Sequence, residues 1–306
     1  MNVWQPDTGE ILIARAPVTF ATGAAMRVRG MRWFRDTERH DIQRELRGWP
    51  EGPSFAARSV GEAAGRGFFR GAATTAGVAV MAFLSSAGGN LTGSVAADDS
   101  GTDTPQDPAD ETEDFPVMWA APGSLARTLP WQLDPGRSDE KRQRTHLIVT
   151  DRRLVVVGLP HDKKDVRRID DEVLWQCART DVARVEPKNF KDGYDFRITF
   201  VDGSWCRLSS FQRRHLTLHL TQPLELIPLH SLSRAQQQTV SDYAQELRTP
   251  ASVTPILTLN PTGRIRVEIL HPDRFTSDFG ASVQFIVMDS EGKRVSPDDY
   301  LPEDFR

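Results

Sequence analysis

The chain of 306 residues has room for about two domains, since one domain typically takes roughly 100 to 200 residues. Hydrophobic residues make up 39% and charged residues 26%, and this composition excludes a collagen-like chain, a largely disordered chain and a polytopic membrane protein. The net charge of -4 gives the chain no overall basic character, so we expect no nucleic acid partner.

The cysteine content and the first residues predict a cytoplasmic protein. Cys177 and Cys206 are the two cysteines, too few for a secreted disulfide scaffold, and we expect both to be buried. Residues 1–10 are polar and show no signal peptide pattern. Only six of the 38 basic residues are lysines, which is typical of GC-rich bacterial coding. We therefore expect a bacterial cytoplasmic protein, with peripheral contact at the inner face of the membrane as the open alternative.

Residues 1–53 are predicted to hold a short strand and a charged helix. The strand falls within residues 9–20, which are rich in Ile, Leu and Val. The helix covers residues 36–47, where Ile42 and Leu46 have helical spacing, and a glycine and a proline follow as stop signals.

Residues 54–89 are rich in glycine and alanine and are predicted to form a helix. Small residues one turn apart allow two helices to approach closely. The apolar part, residues 72–87, is shorter than the roughly 18 to 20 residues of a spanning helix. Three interpretations stay open: a helix buried in a core, a helix that associates with a membrane surface or with itself, and disorder. The glycines predicted to mediate membrane association or oligomerisation are Gly61, Gly65, Gly67, Gly71 and Gly77.

Residues 90–114 are predicted to be a disordered acidic linker. Eight acidic residues and no basic residue lie between Asp98 and Asp114, and no large apolar residue follows Val95 in this stretch. Such a segment buries too little apolar surface to offset the entropy of ordering it.

A second folded unit follows in residues 115–249. Its strands are predicted from alternating or β-branched runs and from turn signals such as Asp202-Gly203. In order, they are residues 146–150, 153–157, 174–185, 194–200, 205–208 and 216–220. Residues 233–248 are predicted to form an amphipathic helix that begins with a capping box of Ser233 and Gln236.

The hairpin THLIVTDRRLVVVGL, the strand ladder to Ser209 and the closing helix resemble a bacterial pleckstrin-homology-like domain, also called GRAM-like. The motif residues are Thr150, Asp151, Arg152, Arg153 and Leu154. The resemblance covers residues 115–248. It implies a barrel closed at one corner by the helix, with loops at the open end that bind lipids, peptides or proteins.

The predicted fold class is therefore α+β. It combines a pleckstrin-like barrel or sandwich of about seven antiparallel strands, capped by a C-terminal helix, with a helical glycine-rich N-terminal region and a small β-rich extension. The extension, residues 250–306, contains three predicted strands at 256–259, 264–270 and 282–288. We expect them to pair with the early strand near residues 11–13.

Two groups of basic residues flank the TDRRL hairpin, and the resemblance places both at the open end of the barrel. Together they predict a site for an anionic membrane surface or an acidic protein. Acidic residues are interleaved with them, so an ordinary solvated surface is one alternative, and docking of the acidic linker in cis is another. The predicted binding residues are Lys141, Arg142, Arg144, Lys163, Lys164, Arg167 and Arg168.

No catalytic motif is evident, so we predict no catalytic residue and no cofactor. His215 and His219 are four residues apart and share a face as metal ligands would, but no third ligand has a matching spacing, and no metal site is predicted. The predicted function is a non-enzymatic adaptor that docks a protein or an anionic surface. A soluble interaction scaffold with the glycine-rich helix in its core is the alternative, and an enzyme of unrecognised type is the third.

Overall fold

The computed structural model describes residues 2–21, 34–52, 116–137, 143–160, 164–188, 194–221, 226–249, 253–276 and 278–305, with Asp162 and the pairs Val28–Arg29 and Ala56–Ala57. The predicted glycine-rich helix, with Gly61, Gly65, Gly67, Gly71 and Gly77, lies outside the described residues. So do the predicted acidic linker and the binding residues Lys141, Arg142 and Lys163.

The described chain is mostly β-sheet. The strands are β1 (Leu12–Pro17), β2 (Thr19–Phe20), β3 (Val28–Arg29), β4 (Phe34–Arg35), β5 (Ala56–Ala57), β6 (Met118–Trp119), β7 (Gln143–Thr150), β8 (Arg153–Pro160), β9 (Glu172–Ala178), β10 (Val182–Pro187), β11 (Asp195–Phe200), β12 (Trp205–Ser209), β13 (Ile256–Leu259), β14 (Ile265–Thr276) and β15 (Gly280–Met288). The α-helices are α1 (Arg213–Thr221) and α2 (Arg234–Glu246).

The first sheet has the order β1-β7-β8-β9, with all pairs antiparallel. The predicted TDRRL hairpin is confirmed, because Val149 pairs with Leu154 across the turn. The predicted early strand is also present as β1. In the described residues its hydrogen-bonded partner is β7, with Ala16 opposite Leu147, and not a C-terminal strand. It nevertheless packs beside the C-terminal sheet, because Gly280 of β15 lies against the backbone of Arg15.

The second sheet has the order β10-β11-β12-β6-β4, and β2 also pairs with β12. The predicted hairpin at Asp202-Gly203 is confirmed, and Gly203 has a φ of 84° that a side chain would disfavour. The predicted single strand 174–185 is two strands, since the turn Arg179–Asp181 sends β9 and β10 into different sheets. The two sheets share one apolar core that includes Leu147 and Phe196.

Two predicted elements have the wrong secondary structure. Residues 36–47 form turns instead of a helix, because the Asp36 carboxylate accepts hydrogen bonds from the backbone N–H groups of Glu38 (3.0 Å) and His40 (2.7 Å). Residues 216–220, predicted as a strand, lie in α1. Their alternating leucines also fit the i, i+4 spacing of a helix, so this short window does not separate the two periods.

The three C-terminal strands form a separate sheet, β13-β14-β15, as the sequence predicts. The predicted helix and its Ser233–Gln236 capping box are also confirmed in α2. However, Val240 and Tyr243 of α2 pack with Val267 and other apolar residues of this sheet in a second core.

The predicted fold class is therefore wrong. Because α2 covers the C-terminal sheet, it does not close the strands of residues 143–209 into a barrel. The described residues contain no closed barrel and only two α-helices. A third apolar cluster, which includes Leu159, Ile169, Ile256 and Leu270, joins the first sheet to the C-terminal one.

Candidate functional site

The strand register brings four of the predicted binding residues to one end of the first sheet. Gln143 lies opposite Pro160 and Gly158 lies opposite Glu172, so the start of β7 and the β8–β9 connection share this end. Four of the predicted cations are described there: Arg144 on β7 and Lys164, Arg167 and Arg168 in the connection.

Three of the carboxylates that the sequence interleaves with these cations, Asp162, Asp165 and Asp171, are engaged with other groups. Asp162 accepts a hydrogen bond from the backbone N–H of Lys164 (2.9 Å), and Asp165 accepts one from the backbone N–H of Arg167 (3.1 Å). Asp171 is buried, and its two oxygens pair with the Arg15 guanidinium at 2.7 Å each. The acidic residues therefore shape the connection and anchor the N-terminal segment.

The side chains of Lys164, Arg167 and Arg168, which we call the cationic loop, are left without such partners. All three residues are exposed, and within the described part of the chain they form no ion pair or side-chain hydrogen bond. Arg144, by contrast, lies 3.6 Å from the carboxylate of Asp278. Exposed charges attract opposite charges over a Debye length of roughly 8 to 10 Å at physiological salt. The cationic loop therefore offers three exposed cations without ion-pair partners to an acidic group, although the charges of Asp162 and Asp165 remain close by.

A second group of polar residues links α1 to β14, and in it His219 and Glu268 are buried while His215 is half-buried. His215 and His219 lie on one face of α1, with ring centroids 4.6 Å apart, and Glu268 approaches from the central strand of the C-terminal sheet. Nε2 of His219 is 3.2 Å from Oε2 of Glu268. One potential ligand atom from each residue lies within 4.8 Å of the others. We call these three residues the His-Glu cluster.

Most polar atoms of the His-Glu cluster have no hydrogen-bond partner. These are Nε2 of His215, both ring nitrogens of His219 and both carboxylate oxygens of Glu268. Glu268 does form an ion pair with Arg266, whose Nη2 is 2.5 Å from Oε1, but without hydrogen-bond geometry. An unpaired buried polar group costs about 1 to 3 kcal/mol, and here the ion-pair contacts of Glu268 with His219 and Arg266 offset part of that cost.

The protonation states of the cluster follow from burial and neighbouring charge. Burial, together with His219, lowers the pKa of His215 to about 3, so this imidazole is neutral at neutral pH. Burial alone would raise the pKa of Glu268, but His219 and Arg266 outweigh it and hold the pKa below its ordinary value.

The two cysteines are buried and free, as the sequence predicts. Burial raises the pKa of Cys177 to about 12, and burial also raises the pKa of Cys206. Both thiols are therefore protonated at neutral pH, and the nucleophilic thiolate form is suppressed.

The sequence pointed to the two histidines but missed Glu268. This residue lies far along the chain, on a different secondary structure element, so no local spacing reveals it. One signal was present: Arg266 and Glu268 are charged residues two apart within a strongly apolar strand, so they share one face. A charged pair inside a buried strand indicates a polar partner from elsewhere in the fold.

Compared with protein-family models, with curated proteins and with solved structures, the chain matches none. The resemblance of residues 115–248 to pleckstrin-homology-like domains therefore stays a prediction. Among the helices that the structure describes, none has the length and apolar character needed to cross a membrane.

Proposed function

We propose that this chain is a non-enzymatic binding protein that docks an acidic protein segment on the cationic loop. The observation that carries the proposal is the exposure of Lys164, Arg167 and Arg168 without an acidic partner in the described chain. The neighbouring carboxylates Asp162 and Asp165 support it, because they bind backbone N–H groups and fix the loop conformation.

The cationic loop carries only three positive charges, and this small number favours an acidic protein segment over a membrane surface as the partner. Near an anionic membrane each Lys or Arg contributes about 1 kcal/mol, so the loop supplies about 3 kcal/mol. Stable membrane attachment needs a second signal, such as a lipid chain or an inserted apolar helix face. Exposed ion pairs between these three cations and carboxylates of one short peptide contribute about 0.2 to 1 kcal/mol each, which fits a weak, salt-sensitive protein contact.

The proposal is tested by binding of a fluorescent glutamate-rich peptide to the full chain, measured by anisotropy. We expect the dissociation constant to rise with NaCl concentration, because the contacts are exposed ion pairs. The double variant Arg167→Glu, Arg168→Glu should weaken binding about tenfold, equivalent to about 1.4 kcal/mol.

The matched control for this experiment is the double variant Arg184→Glu, Arg234→Glu, which changes the charge by the same amount at exposed arginines outside the cationic loop, with Arg234 at the start of α2. Arg184 is also an exposed arginine, with 69% of its side chain accessible, but it lies on β10 in the other sheet. Binding that weakens equally in both variants, or in neither, would refute the cationic loop as the site. Retention on phosphatidylserine vesicles without binding of the peptide would point to a lipid surface and overturn the protein assignment. A chain lacking residues 98–114 that binds the peptide much more tightly would show that the acidic segment competes in cis.

A further inference from the structure

We propose that the His-Glu cluster binds one divalent transition metal ion of the class of Zn²⁺, Co²⁺ or Ni²⁺, with His215, His219 and Glu268 as its protein ligands. This site is separate from the cationic loop. The inference does not depend on the proposed function.

The ligand geometry supports this site. Two histidines at i, i+4 on one helix face place two imidazoles beside the same point, and β14 supplies the third ligand. With metal–ligand bonds of about 2.0 to 2.1 Å, ligand atoms of a tetrahedral site are about 3.3 Å apart. The 3.2 Å between His219 Nε2 and Glu268 Oε2 already fits this value. The complete set lies within 4.8 Å, so a small side-chain rotation brings His215 into place.

The unpaired atoms point to a missing partner. His219 and Glu268 are almost completely buried, with side-chain exposures of 2% and 1%, and their polar atoms lack hydrogen bonds. A metal ion would bond one nitrogen of each histidine and one oxygen of Glu268. It would therefore satisfy, through a single ion, three of the buried atoms that now lack a hydrogen bond.

A neighbouring side chain orients the carboxylate ligand in the way that metal sites commonly use. Arg266 holds Oε1 of Glu268 and leaves Oε2 facing His219. Arg266 itself is fixed by a hydrogen bond from Nη1 to the backbone carbonyl of Asp304 (2.7 Å) and by stacking 4.0 Å from the centroid of the Phe285 ring.

The donor set also selects the class of ion. Mg²⁺ and Ca²⁺ require several oxygen ligands, whereas this site offers two imidazoles and one carboxylate. The positive charge of Arg266 offsets the charge of Glu268, so the site has no excess negative charge to attract a hard cation. Imidazole nitrogen suits Zn²⁺, Co²⁺ and Ni²⁺.

The test is calorimetric titration of the full chain, stripped of metal by a chelator, with ZnCl₂ and separately with MgCl₂. We expect one Zn²⁺ per chain and no heat from Mg²⁺. Glu268→Gln and His215→Ala should each weaken Zn²⁺ binding at least tenfold. His230→Ala is the matched control, because His230 is an exposed histidine outside the cluster, and this variant should bind as the unaltered chain does. Absence of Zn²⁺ binding to the unaltered chain, or unchanged binding in the folded cluster variants, would overturn the proposal.

A second measurement needs no cluster variant, in case Glu268→Gln or His215→Ala does not fold. In the unaltered chain, one equivalent of Zn²⁺ should shift the imidazole ¹⁵N resonances of two histidines. Those of His230, identified by their loss in His230→Ala, should stay in place. If the His230 resonances shift instead, the ion binds at the surface and the proposal is wrong.

Discussion

At the scale of single residues, the TDRRL motif anchors the N-terminal segment. The Thr150 hydroxyl donates to Oε1 of Glu10 (2.6 Å), and Arg153 pairs with Glu10 at 2.8 Å. Arg152 donates to the backbone carbonyl of Gly9 (2.6 Å). The residues that suggested the family resemblance therefore have a structural role that is visible in this fold.

Because Glu10 is a carboxylate, its contribution to the free energy of unfolding depends on pH, and this dependence tests the anchor. Burial raises its pKa, but hydrogen bonds from Arg153 and Thr150 outweigh burial, and the net pKa lies below the ordinary value. A lowered pKa in the folded state means that the stabilisation is present above the unfolded pKa and is lost as the pH falls through the folded pKa. We expect Glu10→Gln to cost about 1.5 to 3 kcal/mol at pH 7.

The measurement is urea unfolding of Glu10→Gln and the unaltered chain at pH 7 and at pH 3. The difference in unfolding free energy between the two chains should shrink at pH 3, because protonation removes the same charge that the substitution removes. Glu51→Gln is the control, since Glu51 is exposed, and we expect a change within about 0.5 kcal/mol at both pH values. A difference that stays constant with pH would contradict the electrostatic origin.

Single residues also show which part of the His-Glu cluster the sequence predicts. The i, i+4 spacing identifies His215 and His219 as neighbours in a helix, although the sequence also allowed a strand there. Glu268 reaches them from the C-terminal sheet, which packs beside β1, and this assembly depends on side chains distant in the chain. Local spacing therefore predicts two ligands and cannot predict the third.

At the scale of secondary structure elements, the sequence predicts strands well where alternation and a turn signal coincide. The hairpin β11–β12 has both signals, and it is confirmed. Prediction fails in residues 36–47, where a single aspartate redirects the backbone, and in residues 216–220, where the window is too short to separate two periods. In both places a few hydrogen bonds or contacts outweigh the local pattern.

The backbone requires a glycine at position 280, where β15 begins. Its φ is 71°, and a Cβ atom there would lie 2.5 Å from the carbonyl oxygen of Arg15 on β1. We expect Gly280→Ala to destabilise the chain by about 3 kcal/mol or more, because the conformational cost adds to a clash with backbone atoms.

Gly263→Ala separates these two contributions. Gly263 has a similar φ of 79°, but no atom lies within 4 Å of its added Cβ. We expect this control to lose only about 1 to 2 kcal/mol, the cost of the left-handed conformation alone. Both values come from chemical denaturation, and equal losses would show that β1 and β15 do not approach as closely as the structure has them.

At the scale of the whole molecule, assembly of the sheets is the part that sequence does not predict. The second sheet combines strands from residues 19–20, 34–35, 118–119 and 182–209, and α2 packs on the C-terminal sheet instead of closing a barrel. The way the apolar faces of these sheets and helices pack together in a common core determines their arrangement. The alternation of apolar and polar residues along a strand reveals that one of its faces is buried. It does not reveal which other element covers that face.

The apolar cluster that joins the first and C-terminal sheets predicts coupled unfolding. All seven tryptophans lie at or before Trp205, so their fluorescence reports on the region before the C-terminal sheet. Ile269 is fully buried in the second core, and Ile269→Ala should cost about 2 to 5 kcal/mol. We expect the unfolding midpoints from tryptophan fluorescence and from far-ultraviolet circular dichroism to fall together.

The control for coupled unfolding is Leu259→Ala in the same sheet, where the side chain is 40% exposed and we expect a much smaller shift. An unchanged fluorescence midpoint in Ile269→Ala, with an added early phase in circular dichroism, would mean that the C-terminal sheet unfolds independently.

The parallel pairing of β4 with β6 has a consequence for the long stretch between residues 58 and 115. Phe34 lies beside Met118, Trp49 donates to the backbone carbonyl of Leu129 (3.2 Å), and Arg137 donates to that of Pro50 (2.7 Å). The points where the chain leaves and re-enters the first core are thus held together by noncovalent contacts. We therefore expect the two fragments produced by a peptide bond cut between residues 58 and 115 to remain associated, because these contacts link the chain segments on either side.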